Sequence, residues 1–486
     1  MIPVCTPDEM AAVDAAATEP LDALIGRAGA AVARAVLDEL GGGYGRRVAV
    51  LAGKGFNGAD GRVAADLLAR RGVRATVVDA AAASGHLPTA GDHAVDLVVD
   101  AAYGTGLGRP FDAPTVVAPV LAVDLPSGLD GLTGEARGRP LSARRTVTFA
   151  ALKPGLLFGD GPALAGRVEV VDLGLDVSGT TSYLLTDGDI AGLVPPRPSD
   201  AHKWQRACWV IAGSSGMEGA AGLAATAALR AGAGYVRLSV PGDGGPGIPD
   251  EPGVPAEVVR MPVAADLELD GPEGSDRDRF ASMVVGPGLG TAPEMADAVR
   301  RLVASSGPPL VVDGDGLTAL TMLAGGSVAT AGRPLILTPH DGEFTRLAGG
   351  PPGLDRMAAA RALAADTGAV VLLKGPTTVV AAPDGRVRLA AAGDARLATA
   401  GSGDVLAGII GAFLARGAAP LEAAAAAAHV HGRLVTAPGI DGLPTVGSST
   451  GVVAGDLAAR LVSVLTDLSV DAVDAVDAVE ASGGAG

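Results

Sequence analysis

The chain has 486 residues, a formal net charge of −17 and an isoelectric point near 4.8. That length exceeds one ordinary domain, and the acidic balance argues against nucleic-acid binding, which needs a basic face. Hydrophobic residues make up 48% of the chain and aromatic residues 3%, so its cores are expected to be built from Val, Leu and Ala. No uninterrupted apolar run reaches the length of a membrane span. The opening residues lack a basic stretch followed by an apolar one, so no signal peptide is expected. Cys5 and Cys208 stand far apart in no metal or redox spacing, and a reducing cytoplasm is the expected home.

Four lysines serve the whole chain, Lys54, Lys153, Lys203 and Lys374, with one asparagine, Asn57, and one glutamine, Gln205. Arginine supplies the other basic side chains apart from histidine. All four lysines and the asparagine fall in or beside glycine, proline or histidine motifs, which marks them as candidates for specific roles.

In chain order, residues 8–40 carry helical periodicity. Arg47 to Gly53 then reads as a short buried strand. The Gly-rich run Lys54-Gly-Phe-Asn-Gly-Ala-Asp-Gly61 opens a helix through Arg71, and the next strand is Val73 to Asp79. Strand, Gly-rich loop, helix and strand make a βαβ crossover, so a parallel sheet is expected with a site at the carboxyl ends of its strands. Further strands are expected at Asp96–Ala101, Leu121–Leu125, Thr146–Ala150 and Val168–Leu173. Two of them run into the loops Asp100-Ala-Ala-Tyr-Gly-Thr-Gly-Leu107 and Asp124-Leu-Pro-Ser-Gly-Leu-Asp130. Asn57, Asp60, Asp100, Asp124 and Ser127 are thereby gathered at one sheet edge. Asn, Asp and Ser oxygens are hard ligands suited to an alkali or alkaline-earth cation, and the bare glycines let a phosphate approach the backbone. Ordinary loop capping would account for any one of these acids taken singly.

This ordered set of three loops resembles the NAD(P)H-hydrate (NAD(P)HX) epimerases. The resemblance implies a Rossmann-like three-layer α/β fold over residues 1–199, and interconversion of the R and S hydrates of NADH and NADPH. It also implies a bound potassium ion, with Asn57, Asp100 and Ser127 at the positions of its ligands. Substrate contacts are implied for Phe56, Asn57, Gly58, Ala59 and Asp60, for Gly104, Thr105, Gly106 and Leu107, and for Asp124, which is also taken as catalytic. Lys153, in Ala151-Leu-Lys-Pro-Gly155, matches a further motif of the family without an assigned role. Where the family has Asn-Asn-Gly-Gly-Asp, this chain has Phe56-Asn-Gly-Ala-Asp60.

Residues 177–199, with Pro195, Pro196 and Pro198, are the expected linker. A second strand series follows at Trp209–Ala212, Met283–Val285, Leu310–Asp313, Leu335–Thr338 and Val370–Leu373, with helical patterns between, and indicates another α/β layer structure. Near its end, Ala398-Thr-Ala-Gly-Ser-Gly-Asp404 turns directly into an apolar helix. Such a turn offers free N–H groups and the positive end of a helix dipole to an anion. Asp404 at its mouth is either the helix N-cap or a base that takes a hydroxyl proton while the amides hold a phosphate.

Together with His202-Lys203, Gly286-Pro-Gly-Leu-Gly290, Thr338-Pro-His-Asp-Gly-Glu-Phe344 and Leu373-Lys-Gly-Pro-Thr377, this turn resembles the NAD(P)HX dehydratases of ribokinase-like α/β fold. The resemblance covers most of residues 201–465 within a domain expected at 200–467. It implies that Ala220, Gly288, Gly290, His340 and Asp404 contact the hydrate. Lys374, Gly375, Pro376, Thr377, Thr378, Gly401, Ser402 and Gly403 would lie at the nucleotide, ADP or ATP, with magnesium as the accompanying ion and Asp404 as general base. Both families in this order imply a bifunctional repair enzyme for NADHX and NADPHX, with no nucleic-acid or membrane partner and with a homo-oligomer left open. Two alternatives stand beside it: a small-molecule kinase sharing the Gly-Ser-Gly-Asp turn, and a non-catalytic first domain. The Val-Asp-Ala repeats and glycines of 468–486 are expected to be disordered.

Overall fold

The structure is a computed structural model. It describes residues 1–83, 95–196, 200, 202–242, 254–267, 269, 276–321, 332–436 and 451–483, the stretch 469–483 by its backbone alone. The chain divides into two compact units, with the boundary between Ser182 and Tyr183.

The first unit is built on six parallel strands: β1 (Arg47–Ala52), β2 (Arg74–Asp79), β3 (Leu97–Ala101), β4 (Val120–Val123), β5 (Arg145–Phe149) and β6 (Arg167–Val171), in the spatial order β2-β1-β3-β4-β5-β6. Strands β3, β4 and β5 are buried along their whole length, as parallel strands covered on both faces must be. The helices α1 (Leu21–Leu40) and α2 (Phe56–Arg70) pack on one face through Val32, Val36, Ala64 and Leu68. Strand order reverses between β1 and β3, which is where a doubly wound sheet opens its ligand crevice.

The second unit has a longer sheet. Its strands β7 (Ala207–Ile211), β8 (Tyr235–Ser239), β9 (Ser282–Val285), β10 (Leu310–Val312), β11 (Leu335–Leu337) and β12 (Val370–Leu373) are parallel. An antiparallel hairpin follows, β13 (Thr378–Ala381) and β14 (Val387–Ala390). The order runs β14-β13-β12-β11-β10-β9-β7-β8. One face is covered by α3 (Glu218–Arg230), α4 (Ser402–Ala415) and α5 (Pro420–Arg433), all rich in Ala. Gly408 of α4 permits the closest of these contacts, since a Cβ there would sit 2.2 Å from the Ala224 carbonyl oxygen of α3.

Two expectations are corrected. Within the supposed linker, Ser182–Leu184 is a strand, Asp187–Asp189 and Ile190–Leu193 are short helical turns, and Leu185, Ile190 and Val194 are buried in the second unit's core. The nearby prolines masked that apolar spacing; residues 197–199 lie outside the described residues. The tail expected to be disordered instead continues the last helix, Ala454–Gly483, whose Leu457, Ala458, Leu461 and Leu468 pack into the same core. Alanine, valine and aspartate at that spacing are compatible with a helix that anchored residues start. Residues 484–486 lie outside the description.

Candidate active sites

In the first unit, α2 starts at Phe56 behind Gly55, with no side chain capping its first turn. Asn57 Nδ2 is buried there without a hydrogen-bond partner. Asp100, at the end of β3, is fully buried. Its carboxylate accepts from Ser127 Oγ at 2.6 Å, Ser127 N at 2.8 Å and Ala102 N at 3.3 Å. Burial pushes its carboxyl above the usual range, against the pull of those neutral donors. A Cβ on Gly104 would lie 3.2 Å from Asp124 Oδ2 and 3.8 Å from Asn57 Oδ1, so the second loop closes on both residues. Thr105 and Leu107 are half-buried beyond it and Gly106 is exposed.

Asp124 sits in the left-handed region at φ 67°, as Ala150 does at φ 61°. Such backbone is costly for residues other than glycine and recurs at functional sites. Lys153, 3% exposed, brings Nζ within 2.6 Å of Asp124 Oδ1 and donates to Thr148 Oγ1 and the Phe149 carbonyl, each at 3.0 Å. Thr148 Oγ1 in turn donates to Asp124 Oδ1 at 3.0 Å. The lysine without a role in the sequence is the counter-ion of the candidate catalytic acid. Asp60, nearly buried in α2, is pushed up to about 8 by burial and by the Asp124 charge. One carboxyl paired with a cation beside another whose pKa is raised is an arrangement that can supply a base and an acid in one site. Gly58 is buried and Ala59 half-buried between them, while Phe56 is 64% exposed.

In the second unit, Gly401 at φ 86° makes the turn into α4 and occupies the N-cap position, so Asp404 is not the cap. Asp404 stands in the first helical turn. Burial, Asp313 and Asp315 push its carboxyl up to about 7, with Lys374 pulling the other way. Asp313, buried after β10, accepts from Thr338 Oγ1 at 2.6 Å and pairs with Lys374 Nζ at 2.5 Å. A Cβ on Gly403 would lie 3.3 Å from that Nζ, so the ammonium lies against the first turn of α4. Burial would lower the Lys374 pKa, but Asp313, Glu343 and Asp404 outweigh it and raise it.

His340 caps the helix Asp341–Ala348: its Nδ1 accepts from Gly342 N at 3.0 Å and Glu343 N at 3.3 Å, and Glu343 Oε2 accepts from His340 N at 2.9 Å. A ring whose Nδ1 accepts carries its proton on Nε2, and this side chain is 58% exposed. Arg356 grips Asp341 through two bonds, at 3.0 and 2.8 Å, and donates to the Lys374 carbonyl at 2.8 Å, bracing the loop that follows β12. In that loop Gly375 and Pro376 are exposed, Thr377 is buried and Thr378 is half-buried. On the other side, a Cβ on Gly288 would lie 3.0 Å from Ala220 Cβ, and Gly290 N donates to Asp315 Oδ2 at 2.8 Å.

Asp313, Asp315, Arg356 and His431 escaped the sequence reading of this site. Asp313 was legible only as the end of a strand, although strand-end acids had singled out Asp100 and Asp124 in the first unit.

Comparison with known proteins follows the same division. Residues 208–437 match the family model described as NAD(P)H-hydrate dehydratase, and residues 21–90 and 76–155 match that described as YjeF-related protein N-terminus. The bifunctional NAD(P)H-hydrate repair enzyme Nnr of Mycobacterium tuberculosis is 41% identical over 438 residues, covering 84% of this chain and 88% of that protein. Its namesake from Salinibacter ruber is 38% identical over 496 residues, covering 88% and 91%. Among solved structures, the ADP/ATP-dependent NAD(P)H-hydrate dehydratase from Bacillus subtilis, co-crystallized with ATP/Mg2+, is 27% identical with a TM-score of 0.48, covering 58% of this chain and 97% of that one. With a dehydratase model and a YjeF-related model on one chain, and identity of this order along most of its length, the chain belongs to the family of bifunctional NAD(P)H-hydrate repair enzymes.

Proposed function

We propose that the second unit phosphorylates the ring hydroxyl of S-NADHX or S-NADPHX from ADP or ATP and expels phosphate, and that the first unit interconverts the R and S hydrates. The observation that carries this is Asp404, a half-buried carboxyl tuned to about 7, standing at an uncapped glycine turn beside the Lys374–Asp313 pair. A base poised near neutrality suits removal of a hydroxyl proton. As the hydroxyl oxygen bonds to the terminal phosphorus, its proton passes to Asp404, the bridging phosphorus–oxygen bond breaks and AMP or ADP leaves with the electron pair; the turn at Gly401, Ser402 and Gly403 with Lys374 stabilises charge on the transferred group. The ring carbon–oxygen bond of the phosphate ester then breaks, phosphate leaves with the electron pair, and a proton from the adjacent ring carbon passes to solvent or to the departing phosphate, restoring the double bond. His340, whose ring is 58% exposed with Nε2 3.6 Å from Glu343 Oε1, supplies a donor to the hydrate.

Magnesium fits this site as an ion carried by the nucleotide. Among the described residues no three acidic, imidazole or thiol groups form a cage for a metal, and magnesium binds through one or two carboxylates plus phosphates. Asp313 and Asp315 are the acids whose charge acts on Asp404, and the ion would neutralise phosphate charge there.

Potassium fits the first unit. Asp100 is a buried carboxylate whose hydrogen-bond partners are the neutral donors Ser127 and Ala102, and Asn57 brings its Oδ1, a hard oxygen ligand, to the neighbouring Gly104 loop. Asn57, Asp100 and Ser127 would hold the ion, which would offset the buried charge under the substrate loop. Asp124 and Asp60, the ion-paired and the protonated acid, are the groups positioned to move protons on the hydrate ring. Cytoplasmic residence belongs to the same proposal, since both cysteines are free and buried and the substrates are damaged forms of NADH and NADPH.

The test is to incubate purified protein with mixed R and S NADHX, potassium, magnesium and either ADP or ATP, following absorbance at 340 nm. Complete recovery of NADH, faster than spontaneous epimerisation, is expected. Recovery that stops at the S fraction would remove the activity proposed for the first unit, and no recovery with either nucleotide would favour a kinase for another small molecule.

A further inference from the structure

Beneath the Gly401–Asp404 turn, Ser402 Oγ and His431 Nε2 lie 3.1 Å apart, both side chains buried. Ser402 opens α4, and His431 stands near the end of α5. A serine at the start of a helix ordinarily turns its hydroxyl to its own first-turn amides or to water. Here the hydroxyl is committed to a neighbouring helix. The position of His431 is itself fixed, because the next residue, Gly432, would bring a Cβ within 2.6 Å of Gly393 N and so packs α5 directly on backbone.

We propose that His431 is a positioning residue for the dehydratase site: its imidazole holds the Ser402 hydroxyl and thereby fixes the first turn of α4, which carries the Gly403 amide and Asp404. This rests on the nucleotide-dependent reaction proposed above. Nothing else on the side chain of Ser402 ties that turn to the body of the unit among the described residues, and Gly401 and Gly403 on either side contribute no side chain of their own. Burial and the nearby Lys374 charge lower His431 to about 4, against a hydrogen bond with the Ser402 backbone that pulls the other way, so the ring is neutral in the working range. A neutral ring can sit close to Lys374 without repelling it, which a lysine or arginine in its place could not.

The experiment compares four variants of the full chain by thermal melting and by steady-state kinetics on S-NADHX with ADP and with ATP. In His431→Leu and in Ser402→Ala, kcat/KM for the nucleotide is expected to fall about tenfold, the scale of one lost buried hydrogen bond. His431→Gln, whose amide reaches the place of Nε2, should recover activity to within about threefold of the parent. The double variant His431→Leu/Ser402→Ala should be no worse than either single one, because both remove the same link. Additive losses, no rescue by glutamine, or unchanged kcat/KM in a folded His431→Leu protein would each overturn the assignment. If the parent protein shows no nucleotide-dependent conversion, the reaction itself fails, His431 has nothing to position and the assignment falls with it.

Discussion

Lys374 and Asp313 form an ion pair in which Nζ lies 2.5 Å from Oδ1, while Thr338 Oγ1 donates to the same oxygen from 2.6 Å. Breaking such a pair from one side strands the other charge. Lys374→Met is therefore expected to cost ~3 kcal/mol of stability and to weaken nucleotide binding about a hundredfold, two decades being within reach of one lost phosphate contact. Lys374→Met/Asp313→Asn should regain much of the stability and none of the nucleotide affinity. Denaturant melts and nucleotide KM values separate the two effects.

Asp404 carries a pH signature. Its folded-state pKa of about 7 is above that of an ordinary aspartate, so the folded protein binds the extra proton between about 4 and 7. Stability contributed by this group is present at low pH and is lost as pH rises through 7. Activity runs the opposite way, since the base must be deprotonated. The profile of kcat/KM should show an acid limb of unit slope with a midpoint near 7. Asp404→Asn should abolish turnover and raise the melting temperature at pH 8, where the wild-type carboxylate is charged beside Asp313 and Asp315. A variant that turns over normally would remove Asp404 from the mechanism.

The Asp124–Lys153 pair offers a clean division of the two activities. Lys153→Met is expected to slow epimerisation of R-NADHX by about two orders of magnitude, on the scale of a lost acid–base function, while leaving dehydration of S-NADHX at the parental rate. Chiral analysis of the residual hydrate reads the first activity, and absorbance at 340 nm the second.

Potassium dependence should reside in the first unit alone. Exchange of potassium for lithium is expected to depress epimerisation and not dehydration, and Asp100→Asn should erase the difference between the two salts. An epimerase rate insensitive to the cation would sink the assignment of Asn57, Asp100 and Ser127.

Phe56 stands 64% exposed at the head of α2, whereas the other six phenylalanines are all at 9% exposure or less. An exposed ring in the substrate loop can stack on a planar part of the ligand. Phe56→Asn is expected to raise KM for the hydrate about threefold to tenfold, the worth of one aromatic stack, with kcat little changed.

The parts that the sequence made legible were those that repeat a local pattern. Strand after strand in the first unit ended in a loop with glycine and an acid, and Asn57, Asp60, Asp100, Asp124 and Ser127 followed from that alone. The role of Lys153 and the place of Asp313 in the site did not, because each acts through a partner remote in sequence: Asp124 is 29 positions from Lys153, and Asp313 is 61 from Lys374. The hairpin β13–β14 was missed for another reason. Its strands are four residues each and buried, too short for an alternation to be seen. His340 illustrates the reverse case, in which the structure holds the modest expectation of a helix cap, with Nδ1 accepting from the first turn.

The scarcity of lysine has a practical corollary for handling the protein. Lys153 is buried against Asp124 and Lys374 is held by Asp313, while Lys54 and Lys203 are exposed. Amine-directed acylation therefore has two accessible side chains, one in each unit. Dyes or surface linkers attached by that chemistry would sit on these two side chains, and the ammonium groups paired with Asp124 and Asp313 would keep their charge.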